Sequence, residues 1–129
     1  MKPISLILTL LLAVGGCDAV IEPDRTFDID GVVVDAASGA PLDSIAVELD
    51  RAAFSGPVRP ILAESITDGA GRYRVQRGRS IAGSYRIFAT DLRLFQDGPG
   101  YYVVDGVNDF PVQPGDHRSI DIEMVWVER

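Results

Sequence analysis

Two residues with reactive side chains occur only once each in this sequence of 129 residues, namely Cys17 and His117. A lone cysteine excludes an internal disulfide framework. A lone imidazole with no cysteine near it cannot form a zinc site of the usual kind, and no serine or aspartate pattern around His117 indicates catalysis. We therefore expect His117 to be a surface residue that opens the last strand. We also expect no metal, no cofactor and no catalytic residue, which leaves the Cys17 thiol as the reactive group of interest.

The residues before Cys17 have the pattern of an export signal. Residues 1–3 are a short positive start, residues 4–14 are apolar apart from Ser5 and Thr9, and two glycines follow. This order of segments is typical of a secretory signal. The apolar run is too short to cross a bilayer, which takes about 20 residues.

Val14, Gly15, Gly16 and Cys17 together resemble a lipobox, the processing site of bacterial lipoproteins. A thiol is needed there to form the thioether to diacylglycerol. The resemblance implies that residues 1–16 are removed, that Cys17 carries palmitate-type chains, and that the protein is held on a cell-envelope membrane, at its periplasmic face or on the cell surface. Two or three acyl chains give stable anchoring. Asp18 resembles the inner-membrane retention signal of enteric bacteria, but inner and outer membrane both stay open, and an ordinary signal peptide is the alternative.

The mature chain is acidic. Its single lysine, Lys2, leaves with the signal, so 11 of the 12 basic residues remain, all arginine, against 19 acidic residues. Because phosphate binding needs a basic surface, this composition argues against nucleic acid as a partner. It also argues against electrostatic attraction to anionic lipid. Removal of 16 residues from 129 leaves 113, which is enough for one domain with its own core.

Residues 17–26 read as the lipidated cysteine and a short polar tether, and residues 27–129 read as β-structure. Short runs rich in Val, Ile, Tyr and Phe are separated by Gly, Pro, Asp and Asn, which is typical of an all-β sandwich or barrel. We predict about seven strands, near residues 27–35, 44–50, 61–67, 72–77, 84–90, 101–105 and 118–127. The longer connections are residues 51–60, 91–100 and 106–117.

Alternation of apolar and polar residues predicts which side chains face the core. The residues predicted to face inward are Ile45, Val47, Leu49, Tyr73, Val75, Ile120, Ile122, Met124 and Trp126. Those predicted to face outward include Ala46, Glu48, Asp50, Arg72, Arg74 and Gln76. Met124 and Trp126 are expected to close one edge of the core.

Two segments resemble the carboxypeptidase regulatory-like domain, a transthyretin-like β-sandwich of about seven strands with an immunoglobulin-like architecture. The first segment, residues 31–49, contains Asp35, Ser38-Gly39 and Pro41, and the second is Thr67-Asp68-Gly-Ala-Gly-Arg-Tyr73. The resemblance covers roughly residues 27–90. It implies that Asp35 accepts backbone N–H groups across a turn and that Tyr73 places its ring in the core.

The resemblance implies an accessory module more than an enzyme. The transthyretin-like fold includes 5-hydroxyisourate hydrolase, but that family relies on histidines, an arginine and a Tyr-Arg-Gly-Ser tail, whereas this chain ends at Glu128-Arg129. The resemblance to carboxypeptidases is to their non-catalytic domain. We therefore expect no enzymatic activity, and a hydrolase of the transthyretin-like family is the least favoured reading.

Two charged sets could bind ligands. Calcium takes oxygen ligands, and the candidate carboxylates are Asp28, Asp30, Asp68, Asp97, Asp105 and Asp109, but none lies in an ordered loop of the Asp-x-Asp-x-Asp-Gly kind. The second set is the run Arg72, Arg74, Arg77 and Arg79, which could bind an acidic glycan or partner. Ordinary turn chemistry for the aspartates, and pairing of the arginines with acids such as Glu64, are the favoured interpretations.

Aromatic residues in the long loops are the better binding candidates: Phe54, Phe95, Tyr101, Tyr102 and Phe110. Aromatic side chains on loops of a rigid sandwich suit protein partners or sugars, and they suit core filling equally well. The leading hypothesis is a lipid-anchored, non-catalytic module of the cell envelope with a binding or structural role, whose partner is an envelope protein or a glycan. The alternative is a carbohydrate-binding surface protein, which predicts exposed coplanar aromatic rings.

Overall fold

The computed structural model describes residues 25–52, 61–78 and 83–129. Within these ranges the chain forms nine strands, a 3-10 helix at Leu92–Phe95 and no α-helix. The strands are β1 (Phe27–Asp35), β2 (Ile45–Arg51), β3 (Ile61–Ile66), β4 (Arg72–Arg77), β5 (Tyr85–Asp91), β6 (Gly100–Val104), β7 (Phe110–Val112), β8 (His117–Ser119) and β9 (Ile122–Glu128).

The strands form two sheets that pack as a sandwich. One sheet has the order β4-β1-β9-β6, with β8 also paired to β1, and the other has the order β3-β2-β5-β7. The all-β sandwich predicted from the sequence is therefore confirmed. Connections predicted as loops contain short elements, because residues 91–100 include the 3-10 helix and residues 106–117 include β7 and the first residue of β8.

The predicted last strand is interrupted. β8 and β9 both run parallel to β1, with Asp30 opposite Ser119 and Val33 opposite Ile122. Between them the Ile120 amide donates to the carbonyl of Asp30 at 2.7 Å. This local departure from the ladder brings the Ile120 carbonyl against β1 at Gly31, where a Cβ would lie 1.9 Å from that oxygen. Only glycine fits such a close approach of two backbones.

Tyr73, on β4, holds the segment between β8 and β9 in place. Its side chain is almost fully buried, as predicted, and its hydroxyl donates to the Ile120 carbonyl at 2.6 Å. Burial raises the pKa of Tyr73, so the phenol stays protonated and remains a donor. The neighbours Arg72 and Arg74 are exposed, which confirms the alternation predicted for this strand.

β2 is buried on both faces. Ile45, Val47 and Leu49 are fully buried, as the alternation predicts. The prediction that Ala46 and Asp50 face solvent is wrong, since they are 3% and 0% exposed. β2 is an inner strand between β3 and β5. The side chains of both neighbouring strands can therefore cover its outer face.

The sandwich has two ends that matter for function. At one end, which we call the entry end, β1 begins at Phe27, β2 ends at Arg51 and β4 ends at Arg77. The ring of Phe27 packs on that of Tyr85, 4.9 Å away between centroids. β1 is nine residues long, spans about 30 Å at the usual strand rise and ends at the opposite end with Asp35.

The predicted export signal (residues 1–16), Cys17 and most of the predicted tether (residues 17–26) lie outside the described residues, as do Phe54 and Arg79. Among the residues that the structure describes, no helix is long and apolar enough to cross a membrane.

Candidate functional site

Asp35 organises the end of the sandwich opposite Phe27. Its Oδ1 accepts the amides of Ala37 at 2.8 Å and Ser38 at 3.1 Å, which closes the turn after β1, and Gly39 takes a φ of +74° there. The other oxygen, Oδ2, accepts the hydroxyl of Tyr102 at 2.8 Å. Asp35 therefore accepts backbone N–H groups across the turn, as the family resemblance implies, and it also accepts a hydrogen bond from the Tyr102 hydroxyl.

Tyr102 is held by hydrogen bonds both at its side-chain hydroxyl and at its backbone amide. The hydrogen bond from its hydroxyl to Asp35, followed by the amides of Ser38 and Ala37, lowers the pKa of Asp35, and the same hydrogen bond raises the pKa of Tyr102. The Tyr102 amide donates to Oδ2 of Asp91 at 2.7 Å. Tyr102 therefore links β6 to the end of β1 and to the end of β5.

Asp91 is the buried centre of this end. Its side chain is 0% exposed, and Oδ1 accepts both the backbone amide of Arg93 at 3.0 Å and its guanidinium at 2.9 Å. The first bond caps the 3-10 helix. Arg93 also pairs with the exposed Asp43. Burial by itself lowers the pKa of Arg93, but the two carboxylates outweigh burial and raise it.

Trp126 lies directly opposite Tyr102 on β9. The two rings meet edge to face, with centroids 5.1 Å apart and planes at 68°. The indole also covers Gly100, where a Cβ would lie 2.7 Å from the ring. Trp126 is 41% exposed, so the prediction that it closes the core is wrong, although Met124 is fully buried. β9 continues past Asp35, the last residue of β1, and Trp126 lies beyond the core layer.

Arg129 holds the 3-10 helix against β6. Its guanidinium donates to the carbonyls of Leu94 at 2.6 Å and Arg93 at 3.2 Å and to that of Gln96, and it lies 5.5 Å from the centre of the Tyr101 ring. Such stacking of a cation on an aromatic face is favourable. The helix in turn presents Phe95, which is 75% exposed.

The structure brings three of the predicted aromatic residues to this end, namely Phe95, Tyr101 and Tyr102. Together with Trp126 they form what we call the aromatic end. Phe110 lies elsewhere, on β7 opposite Ile87, packed against the core. Sequence reasoning missed Trp126 and Arg129 as members of this group, because alternation assigned Trp126 to the core.

The rings that meet at the aromatic end do not form a flat platform. Tyr102 and Trp126 are at 68° to each other, and a sugar ring stacks best on coplanar or single open faces. Exposed aromatic and arginine side chains at one place are the composition of protein-binding hot spots.

An open groove of about 650 Å³ lies on the outer face of the first sheet, beside the arginine run. Arg74 holds Asp28 in a two-point pair at 2.9 Å, rather than Glu64, and this bond lowers the pKa of Asp28. The Ser119 hydroxyl donates to Asp30. No hydrogen bond joins Ser119 to His117 among the described residues, so the groove shows no pair of nucleophile and base there.

Two further aspartates of the candidate calcium set, Asp68 and Asp109, have structural partners. Asp68 accepts the amides of Ala70 at 2.9 Å and Arg72 at 3.0 Å, and Asp109 pairs with Arg86 at 3.4 Å. Among the described ranges, no three side chains of the ligand-forming types converge as metal ligands.

A phenylalanine at position 102 tests the link to Asp35. Because the Tyr102 hydrogen bond is the largest cause of the lowered pKa of Asp35, we expect Tyr102→Phe to raise that pKa towards 3.8. A lowered folded-state pKa stabilises the protein above the unfolded value, and this stability is lost as pH falls through the folded pKa. The variant should therefore lose more stability at neutral pH than in acid. Carboxyl titration by NMR measures the pKa. An unchanged Asp35 pKa contradicts the link.

No family model matches the sequence, and no curated protein matches it either. Solved structures do share the fold. 5-Hydroxyisourate hydrolase from Klebsiella pneumoniae is 18% identical with a TM-score of 0.51, covering 80% of this chain and 97% of that one. An alternative pilotin of the type II secretion system of Vibrio cholerae is 14% identical with a TM-score of 0.51, covering 81% and 100%.

The C-terminal domain of a shaft pilin from Lactobacillus rhamnosus GG is 12% identical with a TM-score of 0.50, covering 79% of this chain and 98% of that domain. At such low identities these likenesses establish the fold alone. A hydrolase, a pilotin and a pilin domain share it, so the fold does not decide between their activities. The chain has the β-sandwich fold of the transthyretin-like and pilin-like proteins.

Proposed function

We propose that this chain is a lipid-anchored, non-catalytic accessory module of the bacterial cell envelope, which binds a protein partner through its aromatic end. The observation that carries the proposal is the separation of the two ends. The tether enters at Phe27, whereas Phe95, Tyr101 and Trp126 lie at the opposite end, about 30 Å away along β1. An anchor at one end leaves the other end accessible.

We further assign the chain to the carboxypeptidase regulatory-like domains, which are usually accessory. The support is local. The Asp35 turn, the Asp68 turn and the buried ring of Tyr73 have the geometry that the resemblance implies. The fold is shared by a shaft pilin and by a pilotin of a type II secretion system, and these likenesses favour an envelope role.

Replacement of the single cysteine tests the anchor. We expect the wild-type chain to lose residues 1–16, to gain the mass of acyl chains and to sediment with membranes, because Cys17 supplies the only thiol for the thioether. Cys17→Ala should gain no acyl mass. Intact mass spectrometry and membrane fractionation of both chains are the measurements. If the wild type and Cys17→Ala are both unlipidated and soluble, the proposed lipid anchor is wrong, but the β-sandwich fold is unaffected.

A photo-crosslinker tests the binding surface. Placed at position 95 in cells, where the side chain is 75% exposed, it should give discrete protein adducts. The matched control is position 66 on β3, where Ile66 is 52% exposed on another face. The same adducts from both positions, or none from position 95, would contradict a partner site at the aromatic end.

A further inference from the structure

The two sheets have four outer strands, namely β3, β4, β6 and β7. An outer strand exposes backbone groups to which another chain can add a strand, so proteins usually cover or shorten it. β3 and β4 cover each other. The Arg77 guanidinium of β4 donates to the Leu62 carbonyl of β3 at 2.9 Å, and the Arg74 amide donates to the Ser65 hydroxyl at 3.2 Å. These contacts join the two sheets on that side.

β7 is protected in a different way, together with β8. Each of these strands is three residues long. Pro111, at the centre of β7, has no N–H to offer, and its carbonyl accepts the Arg118 guanidinium from β8. Very short strands and proline both discourage pairing at a sheet edge. Of the outer strands that the structure describes, this leaves β6 as the one to which a further strand can add.

Two backbone groups of β6 point away from the sheet with no strand opposite them. The Asp105 amide donates to the Glu123 carbonyl at 2.9 Å, so the groups of every second residue before Asp105 face β9 and those of Tyr102 and Val104 face outward. The Tyr102 amide is already bound by Asp91. Because β6 pairs with β9 alone, the Tyr102 carbonyl and the Val104 amide remain available.

This pair of groups fits one residue of an added parallel strand. In a parallel ladder a residue bonds the carbonyl before and the amide after the residue opposite it. A residue placed opposite Val103 would therefore donate to the Tyr102 carbonyl and accept the Val104 amide. An antiparallel strand at Tyr102 would instead need the Tyr102 amide, which Asp91 holds.

A groove of about 510 Å³ beside β6 has room for the side chains of such a strand. It lies between β6 and the second half of β5, and its lining includes Leu94, Tyr102 and Val104. The β5 wall is closed to pairing, because the Asn108 side chain bonds both the amide of Ala89, at 2.9 Å, and its carbonyl. An added strand would therefore pair with β6 and fill the groove with its inward side chains.

Apolar side chains are exposed around this edge. Among the described residues eight large apolar side chains are exposed, and six of them lie on β6, on β9 or in the 3-10 helix and the loop on either side of β6. These six are Leu94, Phe95, Val103, Val107, Val125 and Trp126. Exposed apolar side chains gathered in one place mark an interaction surface.

The charge beside the free groups is negative. Asp105 and Glu123 face each other across the ladder and are both exposed, and among the described residues neither carboxylate has an ion pair or a hydrogen bond. Like charges directly opposite each other destabilise a sheet, so a basic side chain at this place would be favourable. The arginines around the groove are held elsewhere, namely Arg86 by Asp109, Arg93 by Asp91 and Asp43, and Arg129 by carbonyls of the 3-10 helix.

We propose that the protein partner binds as an extended segment that adds to β6 as a parallel strand, with two apolar residues followed by a basic one. The inference rests on the proposed partner site at the aromatic end and names the segment that this site takes. The first apolar residue lies opposite Val103, the second enters the groove opposite Val104, and the basic residue lies opposite Asp105. Strand addition of this kind is a recurring mode of peptide recognition. A second copy of the chain is disfavoured as the occupant, because pairing of two identical β6 edges would gather the same carboxylates.

A designed peptide, acetyl-Thr-Thr-Val-Val-Lys-Thr-amide, is the probe. The isotopically labelled full chain is titrated with it, and the Val104 amide is followed by NMR shift and hydrogen exchange. We expect exchange at Val104 to slow. A peptide with glutamate in place of lysine should bind about fivefold more weakly or worse, as expected for the loss of one cross-strand charge pair.

Two methylated peptides test the backbone pairing. Methylation of the first valine nitrogen removes the donor to the Tyr102 carbonyl and should abolish the protection of Val104. Methylation of the second valine nitrogen is the matched control, because in the parallel arrangement that N–H points away from β6. The control peptide should still protect Val104.

Two substitutions with the same charge change test the basic position. Asp105→Lys should reverse the preference, so that the glutamate peptide binds more tightly than the lysine peptide. Glu64→Lys is the control, because Glu64 also lies opposite an acid, Glu48, but on the covered edge strand β3. It should leave the preference unchanged. Thermal unfolding of each variant verifies that it is folded.

An unprotected Val104 amide overturns the inference, and so do equal effects of the two methylated peptides. Protection of Val104 that rises with protein concentration in the absence of peptide overturns it in favour of a second copy. Photo-crosslinking from position 95 separates this inference from the proposed function. Adducts that persist unchanged in Asp105→Lys keep the proposed partner site and overturn the strand addition. Peptide binding without any adducts from position 95 keeps the strand addition and overturns the proposed partner site.

Discussion

Gly31→Ala should unfold a large fraction of this protein or lower its melting temperature sharply. The added Cβ would lie 1.9 Å from the Ile120 carbonyl oxygen and 2.7 Å from its carbon, both backbone atoms. Side chains can rotate away from a clash, but here β1 and the segment between β8 and β9 must separate. That separation also disturbs the Tyr73 hydrogen bond to the same oxygen.

We expect a loss of about 3 kcal/mol or more, the upper range for forced overpacking. In a domain of this size such a loss lowers the melting temperature by about 12–24 °C. Gly69→Ala is the matched control, because a Cβ there meets nothing within 4 Å, and it should change stability by less than about 0.5 kcal/mol. Chemical denaturation of both variants is the measurement. Similar stabilities for the two variants would show that Ile120 moves away at little cost.

Asp91→Ala should be the most damaging substitution at the aromatic end. The carboxylate is fully buried and accepts from the Arg93 amide, the Arg93 guanidinium and the Tyr102 amide. Its removal leaves the Tyr102 amide without its acceptor and uncaps the 3-10 helix. A cation left unpaired in the interior costs about 3–5 kcal/mol. Arg93 is 30% exposed and keeps Asp43, so we expect about 2–3 kcal/mol, the scale of unsatisfied buried groups.

Asp43→Ala is the control, because Asp43 pairs with the same guanidinium from a side chain that is 58% exposed. Exposed pairs contribute at most about 1 kcal/mol, so this variant should stay close to wild type. Unfolding free energies measure both, and backbone NMR shifts of residues 92–104 report whether β6 and the 3-10 helix detach. Equal losses in the two variants would mean that burial of Asp91 adds nothing to its pairing.

The strands and the turns were predictable from the sequence because their causes are local. Alternation in Arg72–Arg77 depends only on the pleat of a strand, and it identified Tyr73 and Val75 as core residues. The role of Asp35 in its turn, which the family resemblance implied, is also local, since a carboxylate that bonds amides two and three residues later needs no distant partner. The fold class followed from the sum of such signals.

Features that depend on distant partners were not predictable in this way. Alternation gives a strand two faces but does not say whether the second face is covered, which is why Asp50 proved to be buried. The exposure of Trp126 follows from the register of β9 against β1, which brings Met124 level with Asp35 and leaves the indole beyond it. The residues next to Asp50 and Trp126 in the chain do not indicate the burial of the one or the exposure of the other.

By itself the sequence determined the β-class, the positions of most strands, the turn after β1 and the pattern that singles out Cys17, since each depends on residues close together in the chain. The tertiary structure alone decided that Tyr102 bonds Asp35 from 67 positions away and that Gly31 must lack a side chain because the Ile120 carbonyl lies against it. Both facts depend on which distant residues the fold brings together, and the neighbouring sequence does not encode that.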